Sequence, residues 1–124
     1  MQLKNNLYTI KSRRTDGLSG SYDIQLNPSC AIYKAHFPGQ PITPGVCIVQ
    51  IGKELLEELM GEKLNIIRVK NVKFLSIISP VETTDITYTF KKVECSDEES
   101  EIKTQIVVAS DCEMKAKISF TCAR

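Results

Sequence analysis

The residues best placed to do chemistry lie in one stretch, His36-Phe37-Pro38-Gly39-Gln40-Pro41-Ile42-Thr43-Pro44-Gly45-Val46. His36 is the single histidine of the chain, and imidazole is the side chain that most readily takes and returns a proton near neutral pH. Pro38, Gly39 and Pro41 surround it, so it belongs to a rigid loop rather than to a strand or helix face. Gly45 falls in the first turn of the helix that follows, where backbone N–H groups have no intrahelical acceptor and the helix dipole favours negative charge. Such an amide can polarise a carbonyl oxygen and hold the enolate formed when a proton leaves the adjacent carbon. A lone histidine is more often structural than functional, and Pro-Gly helix starts are common. Together, a base and an oxyanion donor at this spacing describe proton abstraction next to a thioester carbonyl.

Positioning these residues falls first to a helix from about Pro44 to Met60. Thr43 is expected to cap its orphan amides, Pro44 to open it and Gly61 to close it in the left-handed conformation. The first half, Val46-Cys47-Ile48-Val49-Gln50-Ile51, is apolar on nearly every side and so should be wrapped, whereas Lys53, Glu54, Glu57 and Glu58 enter the second half. The remainder reads as strands. Leu7–Thr15 and Ser21–Leu26 form a hairpin about Asp16-Gly17, and Asn27–Thr43 is an ordered loop. Asn65–Ile78, Asp85–Glu94, Glu101–Ser110 and Glu113–Ala123 follow, joined by short polar turns such as Ser96-Asp97-Glu98-Glu99-Ser100. In the last strand Met114, Ala116, Ile118, Phe120 and Cys122 share one face, and Lys115, Lys117, Ser119 and Thr121 the other. One buried helix against a long antiparallel sheet is an α+β layout.

A chain of 124 residues, 42% hydrophobic and 25% charged, suits one domain over residues 1–124. Sixteen basic against fifteen acidic residues give a formal charge of +1 and no electrostatic case for nucleic acid. No stretch approaches the ~18 apolar residues that span a bilayer, and the N-terminus lacks the apolar core of a signal peptide, so a cytoplasmic protein without membrane contact is expected. Five cysteines with no C-x-x-C pair suggest neither a disulfide framework nor a metal site. Reduced, mostly buried thiols are expected, Cys47 lying nearest the candidate site.

The run HFPGQPITPGV closely resembles the signature loop of the bacterial 3-hydroxyacyl-acyl-carrier-protein dehydratases. Val69-Lys70-Asn71-Val72-Lys73-Phe74-Leu75 followed by Ser79-Pro80 is similar to that family's later strand and turn. The resemblance covers nearly the whole chain and implies the hotdog fold, a long central helix wrapped by a curved antiparallel sheet. It implies His36 as catalytic base and Gly45 as the amide facing the thioester carbonyl, with Phe37, Pro38 and Val46 beside it as substrate-binding residues. It also implies elimination of water from a 3-hydroxyacyl chain on acyl carrier protein, without metal or cofactor. Family members pair two subunits across the site, so a homodimer or a trimer of dimers is expected. Ile48, Ile51 and Phe74 are candidates to shape the acyl tunnel, and Arg13, Arg14, Lys70 and Lys73 to receive the acidic carrier protein.

The chain departs from the family on the central helix. The family places an acid fourteen positions after the histidine, where this chain has Gln50, and usually a glutamine where it has Glu54. An amide can hold a hydroxyl or water but has no proton to exchange. Positions four apart share a helix face, so Glu54 could reach the same cavity or bond to Gln50 as the relocated acid. Alternatively, protonated His36 returns the proton itself, or Glu54 is simply the first solvated charge of the KELLEE face. Two other functions stay open: a partner-dependent or non-catalytic acyl-binding subunit that assembles with another hotdog chain, and a hotdog thioesterase.

Overall fold

Alternating apolar positions build a six-stranded antiparallel sheet whose inner face takes one helix. The structure, a computed structural model, describes residues 2–35, 37, 39–96, 100–110 and 113–124. Strands β1 (Tyr8–Asp16) and β2 (Ser19–Leu26) form the expected hairpin, with Gly17 at φ 63° in the turn. A single helical turn, α1 (Ile32–Ala35), sits in the stretch expected to be loop throughout. The long helix α2 (Gly45–Met60) comes next, then β3 (Asn65–Phe74), β4 (Asp85–Ser96), β5 (Glu101–Ser110) and β6 (Glu113–Ala123). The strand order is β1-β2-β4-β5-β6-β3, the curved α+β layout expected of a hotdog fold.

Helix α2 meets the sheet through Cys47, Ile48, Ile51, Leu55 and Leu56, all at most 3% exposed, at the three-and-four spacing of one helix face. Burying each such aliphatic side chain contributes roughly 1.5–3 kcal/mol. Opposite them stand Ile86, Tyr88 and Phe90 on β4, Ile102, Ile106 and Val108 on β5, and Ile118 and Phe120 on β6, the last two on the face expected from sequence. The Tyr88 hydroxyl donates to the Ile48 carbonyl at 2.8 Å, tying sheet to helix in the middle of the core. Gly52 lets the two approach: a Cβ there would stand 3.0 Å from Ile106 Cδ1.

Several expectations need correction. Helix α2 is not enclosed on all sides of its first half, since Val46 is 69% exposed. Thr43 does not cap it; Pro44 occupies the cap position in extended conformation without a side-chain bond, while Gly61 closes the far end at φ 73° as expected. Strand β3 ends at Phe74 rather than Ile78, because the amides of Leu75 and Ser76 both turn to the Lys115 carbonyl and leave the ladder. Lys115 is the extra residue of a bulge, with Val108 opposite Ala116 and Ala109 opposite Met114. The bulge exposes Met114 to 40% and buries Lys115, reversing the simple alternation, and Thr121 is buried as well. Of the described cysteines, Cys47 and Cys122 are buried, Cys30 is half-buried and Cys95 is exposed. Cys112 and the turn residues Asp97, Glu98 and Glu99 lie outside the described residues.

Gly52→Val should therefore wedge a branched side chain between α2 and Ile106. The expected loss is about 1–3 kcal/mol in urea unfolding, with the unfolding slope unchanged.

Candidate active site

His36 and Pro38 lie outside the described residues, so the site is built from what flanks them. Tyr33, at the end of the loop that enters the site, and Thr43, at the start of the helix, are 3% and 4% exposed. Their hydroxyls hydrogen-bond to one another at 2.9 Å. Burial, the largest influence, pushes the Tyr33 phenol up to about 12, so it stays neutral and keeps its hydrogen at any ordinary pH. The Thr43 amide donates to the Ile78 carbonyl at 2.8 Å, which fixes the same point to the segment after β3. Within this bracket Phe37 and Gln40 exchange amide-to-carbonyl bonds of 3.1 and 2.9 Å, with Gly39 turning at φ 80° between them.

The helix then begins with a shared acceptor. The Pro44 carbonyl takes the amides of Cys47 at 3.0 Å and Ile48 at 3.1 Å. Among the described residues no acceptor meets the amides of Gly45 and Val46. Gly45 opens onto a cleft of ≈ 370 Å³ whose walls include Ile42, Ile48, Phe74, Leu75, Ile77 and Ile78. The Phe74 ring lies directly on Gly45: a Cβ at that position would stand 2.7 Å from the ring's Cζ. The absence of a side chain at Gly45 leaves room for this ring against the start of the helix. The cleft walls are unusually apolar for a surface, with Phe74, Leu75 and Ile77 between 52% and 66% exposed, and Phe37 and Val46 are exposed as well.

Gln50 and Glu54 are brought together. Gln50 is half-buried, and its Nε2 donates to Glu54 Oε2 at 2.9 Å. Glu54 is only 5% exposed, so the solvated-charge reading is corrected. Its carboxylate accepts four hydrogen bonds: Leu3 N and Gln50 Nε2 on Oε2, Lys4 N and Tyr8 OH on Oε1, at 2.8 to 3.0 Å. Burial and the adjacent Glu54 drive the Tyr8 phenol far above its ordinary value, so it remains a donor. The sequence reading missed the N-terminal partners of Glu54, because nothing local links residues 3–8 to a position some fifty residues on. It also missed the Tyr33–Thr43 pair.

Other candidates separate. Ile48 and Phe74 line the cleft, whereas Ile51 is buried in the helix–sheet core. The Cys47 thiol is buried, and burial raises its pKa, which disfavours a reactive thiolate. Arg13 pairs with Glu58 at 3.3 Å and Arg14 with Asp23, so both are engaged along β1. Lys70 and Lys73 on β3 make no ion pair among the described residues, and Lys73 adjoins Phe74. No helix among the described residues is long and apolar enough to cross a membrane.

Comparison with known proteins adds the chemistry of relatives. The ApeI-like family, ApeI dehydratase, matches residues 12–115. The 3-hydroxyacyl-[acyl-carrier-protein] dehydratase FabZ of Fusobacterium nucleatum is 27% identical over 109 residues, 84% of this chain and 73% of that one. The FabZ of Latilactobacillus sakei is 30% identical over 71 residues, 52% of this chain; this match spans about half, 51%, of that relative's length. Among solved structures, the dehydratase heterocomplex ApeI:P from Xenorhabdus doucetiae superposes with a TM-score of 0.67 at 16% identity. That superposition covers 93% of this chain and 96% of the other.

Tyr33→Phe should leave the buried Thr43 hydroxyl without its partner. We expect a loss of about 1–2 kcal/mol and faster hydrogen exchange at the Thr43 amide, whose carbonyl partner on Ile78 would be held less firmly.

Proposed function

Because the chain belongs to the ApeI-like dehydratase family, of the hotdog 3-hydroxyacyl-carrier-protein dehydratase type, we propose that it eliminates water from a 3-hydroxyacyl thioester on acyl carrier protein, in fatty-acid or related lipid synthesis in the cytoplasm. The observation that carries this reading is the bare Gly45 amide at the head of the helix, set in an apolar cleft beside Phe74 and directly after the histidine loop. An acyl chain fits the apolar walls, and the thioester oxygen supplies an acceptor to an amide that meets none among the described residues. His36 takes the proton from the carbon next to the thioester, the Gly45 amide holds the oxygen as it gains charge, and the enolate re-forms its carbonyl as the carbon–hydroxyl bond breaks. The hydroxyl leaves as water with the proton returned from His36. Phe37, Pro38 and Val46 flank the substrate, and Gln50 binds its hydroxyl. With four donors aimed at its two oxygens, Glu54 serves as an acceptor, which favours proton return by His36 over a relocated acid.

The exposed apolar rim and the edge strand β3, where Ile67 and Val69 are 46% and 52% exposed, support assembly with a second hotdog chain. A homodimer, alone or in a trimer of dimers, is the simplest form. A second reading, in which this chain is a subunit that works with a different dehydratase chain, is favoured by Gln50 in place of the acid and by the heterocomplex among the structural neighbours. Lys70 and Lys73, on the strand that ends at Phe74 and without an ion pair among the described residues, are the cations proposed to receive the carrier protein.

Purified protein should convert 3-hydroxyacyl-carrier protein to the conjugated enoyl thioester, read by its ultraviolet absorbance, and His36→Ala should lower the rate by about 10²-fold or more. Release of free thiol would instead mean hydrolysis. If the wild type is inactive alone and gains activity only on adding a second, acid-bearing hotdog chain, the partner-dependent reading is correct. The double variant Lys70→Glu/Lys73→Glu should raise KM for the carrier-protein substrate, steeply at low salt and weakly at high salt, and leave kcat nearly unchanged.

A further inference from the structure

A formal charge of +1 conceals a segregation of the cations. Among the described residues, nine of the sixteen basic side chains pair with an acid and seven do not. Five of those seven stand on the outer face of the sheet, away from α2: Lys70 and Lys73 on β3, Lys91 on β4, Lys103 on β5 and Lys117 on β6. The pairing register brings them close. Lys73 stands directly opposite Lys117, and like charges so placed across a sheet cost stability. Two irregularities add cations: Lys91 falls between Phe90 and Lys92, and Lys70 between Val69 and Asn71, each an extra residue with no partner across the ladder. Between them Lys92, Gln105, Ser119 and Asn71 form one row across four strands, roughly 14 Å at the usual strand spacing. Two grooves of ≈ 320 and ≈ 410 Å³ lie over this row, walled by the lysines, and Gln105 and Ser119 belong to both. Arg68 and Lys92 line the first groove as well, each paired with an acid, Glu101 and Glu94.

We infer that this face binds the anionic surface of a phospholipid bilayer and holds the protein there peripherally. Charge complementarity supplies the attraction, because each lysine brought near anionic headgroups strengthens binding about fivefold. The composition of the face selects a lipid surface over a macromolecule. Protein interfaces centre on aromatic, methionine and arginine side chains and are poor in lysine, and none of the large exposed hydrophobic residues lines either groove. Phe120, the one ring bordering a groove, is buried, so a nucleic-acid base has nothing to stack on. A lysine is a flexible, hydrated point charge that asks for no fixed geometry in its partner, and headgroups mobile in the membrane plane offer none. Lys70 and Lys73 form the margin of the face on the edge strand, where the carrier protein is proposed to dock, whereas Lys91, Lys103 and Lys117 lie inside it. Attachment of this kind requires nothing of the proposed reaction. The expectation of no membrane contact came from hydropathy, which does not register where charges gather.

The test is sedimentation of the full chain with vesicles of phosphatidylcholine alone and of phosphatidylcholine mixed with phosphatidylglycerol. Binding to the mixed vesicles only is expected at low salt, and its loss at ~0.5 M salt. Lys91→Glu/Lys117→Glu should weaken that binding at least about tenfold. Lys34→Glu/Lys63→Glu makes the same change in net charge at two exposed, unpaired lysines outside the face, and should weaken it no more than about twofold. Melting temperatures check that each variant folds; should one fail, Lys91→Gln/Lys117→Gln against Lys34→Gln/Lys63→Gln makes the same comparison. Failure of the wild type to bind the mixed vesicles at low salt overturns the proposal, and so does an equal loss in the two double variants. Binding of duplex DNA or of acyl carrier protein that is lost in Lys91→Glu/Lys117→Glu, with no vesicle binding, overturns it too and assigns the face to that partner.

Discussion

The contact between helix α2 and the inner face of the sheet governs where every other group can stand. Gly52 allows the helix to lie against Ile106, Phe120 and Tyr88, and the Tyr88 hydroxyl, buried with the core, reaches the Ile48 carbonyl. With that face committed, the opposite side of the helix faces outward, and Val46, Val49 and Gln50 fall there or at its margin. The N-terminal turn is carried to the sheet's end, beside the point where β3 leaves its ladder. An apolar cleft results because Phe74 and the residues after it turn back toward Gly45 instead of continuing along β6.

Closing the histidine loop is a separate task from packing the helix. The loop carries two prolines within a few residues of His36, and its described residues are tied by side chains and by backbone bonds such as the Phe37–Gln40 pair. Tyr33 and Thr43 bond hydroxyl to hydroxyl in a buried setting, where an unpaired hydroxyl is costly and a satisfied one is correspondingly rigid. Thr43 is diverted from capping the helix by this role. The helix start consequently has no side-chain cap.

On the far side of the helix, a nearly buried carboxylate is stable only because its four lone-pair directions are met. Two of those donors are backbone amides of the segment before β1, so the N-terminus and the helix are joined through one side chain. The same side chain accepts from Gln50, one helical turn earlier.

Much of the architecture was legible in the sequence, because alternation along β6 and the Pro-Gly start and Gly61 end of α2 are local signals of burial and backbone conformation. The signature loop pointed to the histidine and the helix head for the same reason: its prolines and glycines act within a few residues. What could not be read were relations between distant positions. The bulge at Lys115, the early end of β3 at Phe74 and the outward-facing Val46 follow from how whole elements meet, not from the residues' own preferences. Glu54 shows the difference most plainly. In the sequence it is one charge among several on a helix. The tertiary structure decided that it is a buried acceptor for Gln50, Tyr8 and the N-terminal amides, because the donors that make its burial tolerable come from the other end of the chain.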